Sequence, residues 1–236
     1  RPWNKLVNLD TINLLNIYYT KGLLNEDIIK SCVTPLLLCK GLNDNISLKE
    51  LYEFSGIEFN IFTSNISKFC KQKINHKTHP DLPVYKAIYM SCAIPIVCEP
   101  VYYNDEFYID GGLFCNCPIN ECIHYEKCKE EEILQLINDC DTLDKNYNIN
   151  NISNYEDIEE NNLKNNSNII EFIIFFVRSL VSKLMNIENQ YIIKTKNLIN
   201  VAFSKTTVDL KIWKYVLDNE SVRKNFIDIG IKLSDD

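Results

Sequence analysis

A chain of 236 residues with 46% hydrophobic content is long enough to bury one sizeable core, or a core with a small appendage. Its formal net charge of -7 and pI near 5.1 would repel a nucleic-acid backbone, so DNA and RNA drop out as expected partners. Ten cysteines spread through a domain of this size, behind no signal-like leader, fit a reduced, cytoplasmic setting better than a secreted disulfide framework. The opening "RPWNKLVNLD" has neither an initiating Met nor a leader, and the expectation is that the chain begins inside a longer protein.

Residues 11–56 read as helical, first "TINLLNIYY" and then "NEDIIKSCVTPLLLCKG". In the second helix Asn25 is placed to cap the start and Gly41 the end, and Pro35 is expected to kink or interrupt it. "SLKELYEFSG" sets Ser47 and Glu50 at capping-box spacing, with Gly56 as the stop. The β-branched and aromatic run "IEFNIFTSNI" (57–66) has the composition of a core strand. In "DLPVYKAIYMSCAIP" the residues Val84, Ala87, Ile88 and Ser91 share one helical face, Asp81 is a candidate cap, and Pro95 requires the helix to end before it. "VYYNDEFYIDGG" reads as a hairpin turning at Asn104-Asp105.

From 138 to 168 the composition shifts: 11 of 31 residues are Asn, 7 are acidic and 2 are Lys. Such a segment has too little apolar surface to offset the entropy of ordering it, so a disordered insertion is expected there. Beyond it come an amphipathic helix over 169–187, its apolar side packed on the core or facing a lipid surface, then a strand at 198–203 and a helical C-terminus. The charges Glu171, Arg178 and Lys183 argue against a membrane-spanning helix. Strands alternating with helices give an α/β domain, a layered sheet flanked by helices.

Asp110, Gly111 and Gly112 after a strand have a plain explanation, because turns recruit Asp and Gly. Their flanks say more. The stretch 78–119 runs from a helix ending in Ser91, Cys92, Ala93, Ile94 and Pro95, through the hairpin, to Asp110, Gly111, Gly112, Leu113, Asn116, Pro118 and Ile119. This order closely resembles the second half of the patatin-like phospholipase domain, and the resemblance extends over roughly residues 3 to 125. It implies a lipid acyl hydrolase with a Ser-Asp dyad, in which a serine in a Gly-x-Ser-x-Gly elbow attacks the ester carbonyl and Asp110 takes its proton. Gly111, Gly112 and Asn116 would support the motif. It implies no metal or organic cofactor, a lipid substrate and at most transient peripheral contact with membranes.

No Gly-x-Ser-x-Gly occurs in the 236 residues, nor a glycine-rich stretch of the kind that supplies oxyanion-hole amides. The expectation is therefore part of a patatin-like domain over 1–236, N-terminally truncated so that the nucleophile precedes the chain, and inactive by itself. A non-catalytic module that binds lipid or a partner protein is the alternative. Cys115 also stands where many family members have Asn.

Three rival chemistries are weaker. A catalytic triad needs a histidine, and His76, His79 and His124 read as structural or solvated, which suits a dyad. Cys115, Cys117, Cys122, His124 and Cys128 crowd together, but gaps of one, four, one and three do not match paired zinc knuckles, so no metal is expected. Lys68, Lys71, Lys73, His76 and Lys77 form a local basic cluster, either a solvated loop or a patch facing anionic headgroups.

Overall fold

The computed structural model describes residues 19–139, part of the segment between 172 and 183, 193–202 and 219–235. All but Tyr19 of the helix expected at 11–19, and nearly all of the Asn-rich insertion, lie outside the described residues. Two compact units are present, a first built on Ile12–Ile133 with Glu159–Lys196 and a second that includes Leu134–Ile158 and Asn197–Asp236.

In the first unit the elements are β1 (Gly22–Leu24), α1 (Asp27–Cys39), α2 (Leu48–Ser55), β2 (Ile61–Asn65), β3 (Cys70–Ile74) and α3 (Val84–Cys92). They continue with β4 (Ile96–Cys98), β5 (Val101–Tyr103), β6 (Glu106–Ile109), a 3-10 turn at Gly111–Leu113 and α4 (Ile119–His124). An antiparallel sheet runs in the order β3-β2-β6-β5, while β1 pairs in parallel with β4. Gly22 is required by that pairing, because a Cβ there would lie 2.2 Å from the Cys98 carbonyl carbon.

All five residues of β2 are buried, which explains its apolar and β-branched composition and shows that both faces of the sheet are covered. On one face the Thr63 hydroxyl reaches α3; on the other, Lys71 and Lys73 of β3 pair with Glu121 and Glu126 in and just after α4. The result is an α/β layering. The core gathers Ile74, Leu82, Ala87, Met90 and Ala93, all fully enclosed, with Leu48, Val84, Tyr89 and Tyr108 around them. Burying each large side chain of this kind is worth about 1.5–3 kcal/mol.

The helices follow their sequence signals with two exceptions. In α2 both halves of the capping box form: Ser47 Oγ accepts from the Glu50 amide at 3.2 Å, and the Ser47 amide donates to Glu50 Oε2 at 2.8 Å. Gly56 closes the helix in the left-handed region at φ 67°. At α1, Asn25 Oδ1 accepts from the Asp27 amide, and Gly41 follows the end at φ 72°. Pro35, expected to kink or interrupt α1, sits inside a continuous 13-residue helix. Asp81, expected to cap α3, does not do so; the N-cap is Pro83, whose carbonyl accepts from the Ala87 amide. The β5–β6 hairpin turns at Asn104 (φ 50°) and Asp105 (φ 62°), a pair of left-handed residues that matches the twist of the flanking strands.

The second unit contains β7 (Leu134–Asp139) and β8 (Asn197–Ala202), paired in parallel, and α5 (Glu220–Asp235). Residues 138 and 139, placed by composition at the start of the disordered insertion, complete β7 instead. In the later segment of the first unit, positions 172, 173, 175–177, 179, 180 and 183 are helical, as expected. Phe172, Ile173, Phe175, Phe176 and Leu180 there are exposed rather than packed on a core. Among the described residues, no helix is long and apolar enough to cross a membrane.

Candidate active site

The hairpin delivers Asp110 to the end of β6, where the chain leaves the sheet and tightens into the 3-10 turn. Asp110 caps that turn: its Oδ1 accepts from the Gly112 amide at 2.6 Å. Its own amide donates to the Ala93 carbonyl at 2.9 Å, tying the strand end to the residue that follows α3. Among the described residues no group donates to Oδ2. One carboxylate oxygen is thus used to hold the side chain still.

The glycines act by absence of bulk. A Cβ on Gly111 would lie 2.2 Å from the Phe62 carbonyl oxygen, so the turn is pressed against β2 as closely as backbone allows. The same carbonyl accepts from Ser91 Oγ at 2.7 Å, which joins the end of α3 to the point where Gly111 is seated. Gly112 supplies the amide that fixes Asp110. Asn116 lies on the exposed loop between the 3-10 turn and α4, and Cys115 beside it is buried.

The carboxyl of Asp110 is half-buried, and burial raises its pKa above the usual 3.8, with the Gly112 amide pulling in the opposite direction. A carboxylate whose charge is poorly solvated accepts a proton more readily, which is what a general base requires. Sequence reasoning singles out Asp110, Gly111, Gly112 and Asn116; the first three form the end of β6 and its 3-10 turn, and Asn116 lies beyond that turn. That reasoning misses the Ala93 carbonyl and the Ser91 hydroxyl as their anchors, although both belong to the small-residue end of α3 that the motif contains.

The other candidates are placed as follows. Lys68, Lys71, Lys73 and Lys77 are ion-paired with Glu106, Glu121, Glu126 and Glu58 respectively. The basic cluster therefore shows an outside observer little net charge. His76 stacks on Tyr52 with ring centroids 3.8 Å apart, a structural role, while His124 is exposed at the end of α4. His79 is half-buried, and burial lowers its pKa. Among the described residues no three His, Cys, Asp or Glu side chains are grouped to hold a metal ion, and no disulfide links the cysteines.

A half-buried aspartate thus stands on a strand end, followed by glycines locked onto a neighbouring strand in an α/β layered domain. Residues 3–123, about half of the sequence, match the family described as patatin-like phospholipase, and the chain belongs to that family. A curated relative, "Probable lipid hydrolase 463L" of Invertebrate iridescent virus 6, is 36% identical over 135 residues. The match covers 54% of this chain and 46% of the relative, so the chain spans about half the length of the curated relative it matches. No solved structure matches.

Proposed function

We propose that the chain is the base-carrying part of a lipid acyl hydrolase that cleaves carboxylic esters of phospholipids or neutral lipids. The observation that carries this reading is the half-buried Asp110 carboxylate, fixed through Oδ1, with no donor to Oδ2 among the described residues. Family membership supports the lipid substrate, as does the name of the viral relative. In this reading all 236 residues belong to one catalytic domain interrupted by the Asn-rich insertion. The nucleophilic serine lies outside them, consistent with the missing Gly-x-Ser-x-Gly and with coverage of 46% of the relative.

The chemistry proceeds in two halves. Asp110 takes the serine proton as the oxygen attacks the ester carbonyl, and the proton is returned to the departing alcohol. Asp110 then takes a proton from water, whose oxygen attacks the acyl-enzyme, and the serine recovers its proton as the fatty acid leaves. The carboxylate must lie about 2.6–3.2 Å from each hydroxyl it deprotonates. No cofactor enters. The setting is cytoplasmic, with transient contact at a lipid surface.

Asp110→Asn in the full-length protein should lower ester hydrolysis by at least about 100-fold, the lower end of what general-base help contributes. Its circular dichroism spectrum should be unchanged. Undiminished turnover would leave the inactive, lipid- or protein-binding module as the better reading.

A further inference from the structure

Thr63 has no chemical part in the mechanism above, yet it is fully enclosed in the middle of β2. Its hydroxyl oxygen lies 2.7 Å from the Ile109 carbonyl oxygen and 2.9 Å from that of Met90. We propose that Thr63 is a positioning residue for Asp110, its hydroxyl holding the Ile109–Asp110 peptide plane against the end of α3 and so setting the direction in which the carboxylate leaves the strand. The proposal rests on the reading of Asp110 as the base.

The geometry is specific because the Ile109 carbonyl and the Asp110 amide belong to one rigid, planar group. Its oxygen meets Thr63, and its N–H donates to the Ala93 carbonyl at 2.9 Å. A plane held at both of its polar ends cannot rotate. Met90 lies in the last turn of α3, where helix carbonyls lack intrahelical donors, and Ala93 follows directly after the helix. Thr63 thus shares one proton between a helix carbonyl in need of a donor and the peptide bearing the base. Beyond that plane only the φ of Asp110 and its side-chain torsions remain, and the Gly112 amide fixes the carboxylate itself.

Valine has the shape of threonine without the hydroxyl, so Thr63→Val keeps the packing and removes the donor. A misplacement of about 1 Å in a catalytic group can cost about 100-fold in rate, so a partial loosening should lower kcat at least about tenfold while KM stays within about threefold. The Gly112 bond, which lowers the pKa of Asp110, should also lose alignment, shifting the acid limb of the rate profile to higher pH.

The test measures kcat, KM and the pH profile of the full-length protein on a soluble chromogenic ester, for Thr63→Val, Thr63→Ser and Asp110→Asn in parallel. Support is a Val variant with lowered kcat and a shifted acid limb, and a Ser variant within about threefold of the parent, since serine keeps the donor. Should the Val variant fail to fold, Thr63→Cys, similar in size with a weak donor, replaces it with the same expectations. Unchanged kcat and pH profile in the Val or Cys variant, alongside an inactive Asp110→Asn, would overturn the positioning role alone. So would a Ser variant as impaired as the Val. Wild-type turnover in Asp110→Asn would overturn the base assignment itself, and the positioning role with it.

Discussion

In the proposed mechanism Asp110 serves function at a cost to stability. Because burial raises its pKa in the folded protein above 3.8, the folded state holds this proton more tightly than the unfolded chain does. Between 3.8 and the raised value the folded state therefore binds more protons, and stability falls as pH rises through that window. Two outcomes follow. The acid limb of kcat/KM should lie above the ordinary aspartate range, since activity needs the deprotonated form. In thermal melts at neutral pH Asp110→Asn should be at least as stable as the parent, with the advantage shrinking as pH falls toward 3.8, because asparagine buries no charge. Gly111 is a further test at this scale. Gly111→Ala places a methyl 2.2 Å from the Phe62 carbonyl oxygen. Overpacking of this kind typically costs about 1–3 kcal/mol, and here the strain falls beside the base, so melting temperature and activity should both drop.

At the level of elements, the most local devices are the most decisive. Ser47→Ala removes one half of the α2 capping box and should destabilise the protein by about 0.5–2 kcal/mol in denaturant titrations, with no effect on ester hydrolysis. That box, the Gly56 stop and the Asn104-Asp105 turn were all legible in the sequence, because each is a short-range preference written within a few residues. Strands β1 and β4 were not legible: each has three residues, and they are made by pairing with one another across the chain. β3, "CKQKI", reads as polar because its lysines reach across to carboxylates in and after α4. Pro35 was misread because its local effect on the helix is outweighed by the burial of Leu37 and the packing of Ile28, Ile29 and Val33 on the core. Thr63 was invisible for the same reason of distance, its partners lying 27 and 46 residues along the chain. Asp110 stands out in a motif; its anchors needed the fold.

On the largest scale, the basic cluster of the described residues is arranged in compensating pairs. With Lys68, Lys71, Lys73 and Lys77 each facing a glutamate, the cluster has little attraction left for anionic headgroups, and exposed pairs of this sort are individually worth about 0–1 kcal/mol. In flotation assays, binding to anionic vesicles should be no stronger than to zwitterionic ones; a marked anionic preference would show that the cluster acts in spite of its partners. The turn at Asn104-Asp105 has a consequence in time. A hairpin closed by two residues zips up alone within about 1–10 μs. The contacts that orient its last peptide wait for Thr63, 46 residues before Ile109, and for Ala93 at the end of α3 to arrive. Built last, they are also the first to loosen, so gentle warming should silence the proposed activity of the full-length protein while the hairpin is still intact, and the Asp110 amide should trade its hydrogen for deuterium before its neighbours in β6 do.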